Sequence, residues 1–114
     1  MLYEKLDVWK RSRVLTIDVY KNLSHCRDYG FKDQITRSVL SVPSNIAEGC
    51  ERESIKERKY FLNIAKGSLG EFKTQADIGI EIGYIPSVAG KAWLSESDEL
   101  ARMLATLIKR LNTI

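Results

Sequence analysis

Apolar side chains recur three and four positions apart along most of the chain and nowhere alternate for any length. Between Tyr3 and Arg27 the recurring positions are Leu6, Trp9, Val14, Ile17, Tyr20 and Leu23. That spacing predicts an amphipathic helix over about 3–27 with these residues turned inward. Val8, Leu15 and Val19 broaden the stripe, so this helix is expected to touch more than one neighbour. Asp28-Tyr29-Gly30 supplies a break. Ile35, Val39, Val42, Ile46 and Gly49 then step by four, three, four and three, which predicts a helix over 32–49. The stripe passes through Pro43. An interior proline removes one hydrogen bond and crowds the preceding turn. Two readings follow: a continuous helix kinked at Pro43, or a new helix capped by Ser41 with Pro43 in its first turn. The unbroken apolar phase favours the continuous helix, with Gly49 as its C-terminal cap.

Ser54 with Glu57 three residues on is a capping box, and a third helix is predicted over 54–82. Its inward stripe is Phe61, Ile64, Ala65, Ser68, Leu69, Phe72, Gln75, Ala76 and Gly79. Gly83 followed by Pro86 stops it. Ser87 is a candidate cap for the fourth helix, over 88–112, whose apolar face runs from Trp93 to Leu111. A separate short helix starting at Ser95-Glu96-Ser97-Asp98 is the alternative, and the unbroken phase from Leu94 to Leu111 speaks for one helix. Four helices with short connections predict a single all-α domain over 1–114, an antiparallel up-down-up-down four-helix bundle. Val8, Val19, Leu40, Tyr60, Ile78 and Ile80 exceed what one inner stripe needs, which predicts a second buried surface and self-association.

Composition adds little to this picture. The 44% apolar and 29% charged residues are those of a soluble globular chain, and 114 residues suffice for one core. The net charge of +3 permits an acidic partner without demanding one. The charged N-terminal stretch predicts no signal peptide, no apolar run approaches the ~18 residues of a membrane span, and the cytoplasm is the expected location. Cys26 and Cys50 would lie at opposite ends of one helical hairpin, on the order of 25–30 Å apart, so both are expected as free thiols.

Candidate chemistry is sparse. His25 is the single histidine, so neither a di-iron nor a zinc set is available, and no cofactor is expected. Ser24 beside His25 is adjacency on a helix, where neighbours do not face each other. Gly67-Ser68-Leu69-Gly70 spells the GxxG of a nucleic-acid clamp that also needs a sheet, so close helix packing is the preferred reading. A polar set remains: Gln34, Arg37, Ser41, Ser44, Asn45 and Glu48 on the second helix, with Ser68, Glu71 and Gln75 on the third. Glu48, beside inward positions, would need a partner such as Arg37 or Lys66. The set is expected to be a network that holds helix register or subunit pairing. A ligand or catalytic site is the alternative. Lys10, Arg11 and Arg13, with Arg52, Lys56, Arg58 and Lys59, are candidates for a phosphate-binding surface that a ring-shaped oligomer would multiply.

Gln34-x-x-Arg37, Ser41-Val-Pro-Ser-Asn-Ile-Ala-Glu-Gly49, Phe61-Leu-x-Ile-Ala-Lys-Gly-Ser-Leu-Gly-Glu71 and Gly83-Tyr-Ile85 resemble the four-helix-bundle family named for proteins encoded in 23S ribosomal RNA intervening sequences. The likeness runs from Trp9 to the Met103-Leu104 region. It implies a left-turning antiparallel bundle and a ring-forming homopentamer. A related branch, the accessory proteins of diversity-generating retroelements, partners a reverse transcriptase and binds nucleic acid through a surface more basic than this one. The intervening-sequence members have no established activity. The motif positions carried over are Gln34, Arg37, Ser41, Pro43, Asn45, Glu48, Gly49, Ser68 and Glu71, as positions without roles. The expectation is a non-enzymatic homo-oligomer that associates with RNA or a nucleic-acid-binding protein through basic side chains, with no membrane. A structural or protein-interaction module without nucleic-acid binding comes second. An enzyme centred on Arg37, Asn45, Glu48 and Glu71 comes third.

Overall fold

Side-chain caps mark the starts of two of the four α-helices. The computed structural model describes residues 2–113: a 3-10 turn at Tyr3–Lys5, then α1 (Asp7–Asn22), α2 (Tyr29–Glu51), α3 (Ile55–Glu81) and α4 (Ser87–Leu111), with no strand among the described residues. The first helix is shorter than the apolar pattern predicts. Leu6 is extended at φ −80° and ψ 126°, and Leu23 leaves the helix at φ −104° and ψ 8°. Asp28 caps α2, its carboxylate accepting the Phe31 N–H at 3.1 Å. Tyr29 and Gly30 therefore form the first turn of α2 instead of breaking the chain. Ser54 caps α3 by accepting the Glu57 N–H at 3.0 Å, as the capping box predicts. Gly83, at φ +82°, turns the chain after α3 and lets the Tyr84 and Ile85 N–H groups reach back to the Gly79 carbonyl at 2.9 and 3.1 Å. Pro86, not Ser87, occupies the cap position of α4, which has no side-chain cap.

Cross-links between helices set their directions. Ser38 meets Gln75 and Ser41 meets Ser68 between α2 and α3. Lys59 meets Asn112 and Lys73 meets Asp98 between α3 and α4. Arg11 meets Glu96 and Asp18 meets Trp93 between α1 and α4. In each pair numbers rise on one helix as they fall on the other, so the helices run in opposite directions, and α1 therefore opposes α2 as well. The molecule measures 46 × 21 × 20 Å, its length set by α3, whose 27 residues span about 40 Å at ~1.5 Å each. Packing is heaviest between α2 and α3 and lightest between α1 and α4.

The core follows the predicted stripe on α2, where Ile35, Val39, Val42 and Ile46 are fully buried. On α3 it is Leu62, Ala65, Leu69, Phe72, Ala76 and Gly79, and on α4 Trp93, Leu100, Leu104 and Leu111. α1 departs from expectation. Its buried face is Val8, Ser12, Leu15, Thr16 and Val19, followed by Leu23. Val14, Ile17 and Tyr20 point outward, 63%, 38% and 43% exposed. Two stripes on α1 have helical spacing, and the true one is disguised by two hydroxyl residues. Both are tolerated inside because they bond to backbone carbonyls, Ser12 to Trp9 at 2.9 Å and Thr16 to Ser12 at 2.8 Å. Of the six positions expected to form a second buried surface, Val8 and Val19 belong to the core and Ile80 packs against it, while Leu40, Tyr60 and Ile78 are exposed.

α2 runs unbroken through Pro43, so no new helix starts at Ser41. Pro43 has no N–H for the carbonyl four residues back, that of Val39. The Thr16 hydroxyl of α1 reaches that carbonyl at 3.2 Å. Gly49 is not a cap, because α2 continues to Glu51. A Cβ at Gly49 would meet the Arg58 carbonyl and Phe61 Cβ, both at 3.2 Å, so its glycine allows α2 and α3 to approach. Gly67 and Gly70 play no such part: a Cβ on either would meet open space.

Candidate functional site

The polar motif residues converge on the seam between α2 and α3. Asn45 Nδ2 donates to both the carbonyl and the hydroxyl of Ser41 at 2.8 Å, and Ser41 Oγ lies 3.0 Å from Ser68 Oγ. With the Ser41 oxygen accepting from Asn45, its own proton is free for Ser68. One turn away Ser38 donates to Gln75 Oε1 at 2.6 Å. An open cleft of about 350 Å³ beside this seam is lined by Gln34, Arg37, Ser38, Ser41, Ser68 and Glu71. Five of the seven polar motif positions, Gln34, Arg37, Ser41, Ser68 and Glu71, therefore share one cleft, with Asn45 bonded to its wall. Glu48 does not join them. It is half exposed and pairs with Arg52, not with Arg37 or Lys66. Arg37 pairs with Asp33 at 3.2 Å along its own helix. Glu71 is the one carboxylate lining the cleft, and no histidine, cysteine or second acid lines it. Among the described residues no group of histidine, cysteine, aspartate or glutamate side chains is placed to hold a metal ion.

Four of the seven basic candidates are engaged by neighbouring groups. Arg11 is held by Glu96 and by Glu99 at 3.1 Å, and the Glu96 hydrogen bond raises the guanidinium above its ordinary range. Arg52 pairs with Glu48 and lies over the Phe61 ring at 5.0 Å. Arg58 donates to the Arg52 carbonyl, and Lys59 to Asn112. These four serve the bundle. Lys10, Arg13 and Lys56 remain exposed, with no side-chain hydrogen bond or ion pair among the described residues.

Lys10 and Arg13 lie on the outer face of α1, and that face also carries Lys21. At about 100° per residue, Lys10, Arg13, Val14, Ile17, Tyr20 and Lys21 occupy one arc opposite the buried stripe. The arc itself contains no acid, and the exposed Asp7 and Asp18, three residues before Lys10 and Lys21, border it. Of the helix's two aspartates, Asp18 accepts the Trp93 indole N–H at 2.6 Å and Asp7 lines a groove with α4 residues. At the end of the arc Tyr20 enters an open cleft shared with Tyr29, Gly30, Lys32, Asp33 and Thr36. Placing Val14, Ile17 and Tyr20 inward concealed this face. The signal available was the pair of lysines and Arg13 recurring among them at helical spacing.

An all-α bundle of this size, with its polar signature gathered in one interhelical seam, defines a class of small four-helix proteins. The model of the 23S rRNA-intervening sequence protein family matches residues 4–106, and the chain belongs to that family. It is similar in structure to a protein of unknown function from the S23 ribosomal protein family of Bacteroides thetaiotaomicron VPI-5482. The TM-score is 0.83 at 25% identity, covering 90% of this chain and 98% of that one. Among curated proteins nothing matches.

Proposed function

We propose that the protein is a non-catalytic, homo-oligomeric binding module of the cytoplasm that associates with RNA through the outer face of α1. The observation that carries this reading is the acid-free arc of Lys10, Arg13 and Lys21, none of them engaged inside the bundle, with Tyr20 among them. Phosphate contacts supply most of non-specific RNA affinity, and free cations on a rigid helix supply those contacts. Membership of a family named for 23S rRNA intervening sequences is consistent with an RNA partner. The cleft between α2 and α3 argues for a structural seam, since its hydroxyls and amide are committed to one another and a lone carboxylate names no reaction. The test is titration of labelled RNA at low salt. The wild type binds, and joint Lys10→Gln, Arg13→Gln and Lys21→Gln substitution abolishes most of the affinity. Glutamine at Arg58 and Lys59 has little effect. No binding by the wild type at low salt sinks the proposal.

Self-association rests on a separate observation. Tyr60 and Ile78 on α3 and Ile82 at its C-cap are 61%, 48% and 52% exposed, and Leu40 on α2 is 46% exposed. Gly67 and Gly70 lie between them with open space where a side chain would be. Such a surface suits a second copy approaching closely, and the resemblance suggests a ring of five. A solution mass equal to one chain at micromolar concentration overturns it.

A further inference from the structure

We infer that the open cleft between the C-terminal end of α1 and the N-terminal end of α2 is a stacking site for an unpaired base, so that the α1 face takes single-stranded RNA in preference to duplex. This rests on the RNA-binding reading of α1 and names its ligand more closely.

Aromatic pairing singles the cleft out. The chain has ten aromatic residues. Eight of them pair edge-on or tilted with one another: Tyr3 with Trp9, Phe31 with Tyr84, Tyr60 with Phe61, and Phe72 with Trp93. Tyr20 and Tyr29 are the two without an aromatic neighbour among the described residues, and both line the same cleft. They are 43% and 73% exposed. The cleft holds about 640 Å³, within the ~300–1,000 Å³ of small-molecule sites. Two free rings in an open cleft at the end of a cationic helix face are the two components of single-strand recognition, a backbone track and a stacking platform.

The local charges suit a nucleotide. Lys21 follows Tyr20 on α1, and the track from Lys10 to Lys21 extends about 16 Å at ~1.5 Å per residue. Asp33, the one acid in the cleft, is paired with Arg37 at 3.2 Å. Lys32 also lines the cleft, its ammonium donating to the Ser24 carbonyl at 3.2 Å. Thr36 turns its hydroxyl to the Lys32 carbonyl at 2.6 Å, away from any base edge. Recognition would therefore use the π-face, which every base has, and discriminate little among sequences. Duplex bases are already stacked and cannot enter.

The experiment compares single-stranded and duplex RNA of equal length on the wild type, on Tyr20→Leu with Tyr29→Leu, and on Tyr20→Phe with Tyr29→Phe. Leucine keeps apolar area and removes the ring; phenylalanine keeps the ring. The leucine pair should lose about 5- to 150-fold in single-strand affinity per stacked base, with duplex affinity and salt dependence unchanged, and the phenylalanine pair should bind as wild type. Tyr29→Leu alone, at the more exposed ring, should show the same selective loss in part. Equal losses on both RNAs, or none, overturn the stacking site and leave RNA binding by α1 standing. Absence of any RNA binding by the wild type at low salt overturns both.

Discussion

Replacing Thr16 by valine tests how the bundle tolerates a proline in its central helix. Thr16 is 6% exposed, and valine has nearly its shape, so the substitution opens no cavity. It removes the hydroxyl that reaches the Val39 carbonyl at 3.2 Å. Pro43 offers that carbonyl no N–H, and Val39 itself is fully buried. A buried acceptor left unpaired costs about 1–3 kcal/mol. The single Thr16 hydroxyl proton is shared with the Ser12 carbonyl at 2.8 Å, which keeps its own helix partner, so that loss adds little and the cost falls in the lower half of the range. The expected destabilisation is about 1.5 kcal/mol, several degrees in Tm at ~4–8 °C per kcal/mol for a small domain. Pro43→Ala supplies the missing N–H. In that background Thr16→Val should cost less than about 0.5 kcal/mol, a coupling of about 1 kcal/mol between residues on different helices. Urea unfolding of the four proteins at one fixed concentration measures it. The cycle cancels whatever Pro43→Ala does by itself through lost packing or relieved backbone. Equal costs of Thr16→Val in both backgrounds would refute the assignment of Thr16 as the partner of the proline-orphaned carbonyl.

Three further outcomes follow from buried or capping groups. Ser97 is 1% exposed and its hydroxyl finds no hydrogen-bond partner among the described residues, so Ser97→Ala should raise stability by about 1 kcal/mol, read as a higher urea midpoint. Cys50 is buried, which pushes its thiol pKa up, while Cys26 is partly exposed; a thiol reagent should modify one cysteine per native chain and two in denaturant. Asp28 has its pKa lowered by the Phe31 N–H and then by the Tyr84 hydroxyl at 3.0 Å. Its contribution is present above the unfolded value of about 4 and is lost as pH falls through the lower folded value. Asp28→Asn, which keeps a capping oxygen but does not titrate, should flatten thermal stability against pH in that acid window.

Much of the fold was legible because α2 and α3 carry their core on single unbroken stripes. The ends of α3 bear unambiguous chemistry, Ser54 with Glu57 at one and Gly83 at the other, whereas both ends of α2 lie beyond the Lys32 to Gly49 span that the pattern predicts. α1 was misread where two stripes of equal period compete, and only burial of Ser12 and Thr16 against carbonyls decides between them. The partner of the Val39 carbonyl lies 23 residues away, a distance no local pattern spans. The motif cleft was legible as a set, since Ser41, Asn45 and Ser68 do bond together. Glu48 was not, because pairing with Arg52 four residues on competes with burial and wins at a helix end. The same effect thinned the basic candidates. Arg11, Arg52 and Arg58 look free in sequence, yet Arg52 meets Glu48 four residues back, Arg58 the Arg52 carbonyl, and Arg11 meets Glu96 once α1 and α4 pack.

The salt dependence of single-stranded RNA binding tests the role of α1 most directly. Neutralising Z phosphates on a single strand gives a slope of log affinity against log salt of about −0.7Z. Lys10, Arg13 and Lys21 together predict a slope near about −2 per chain. The joint glutamine variant should bring it close to zero, and the Tyr20→Leu, Tyr29→Leu pair should leave it unchanged. A wild-type slope that survives removal of the three cations, or no binding at low salt, contradicts an RNA-binding face on α1.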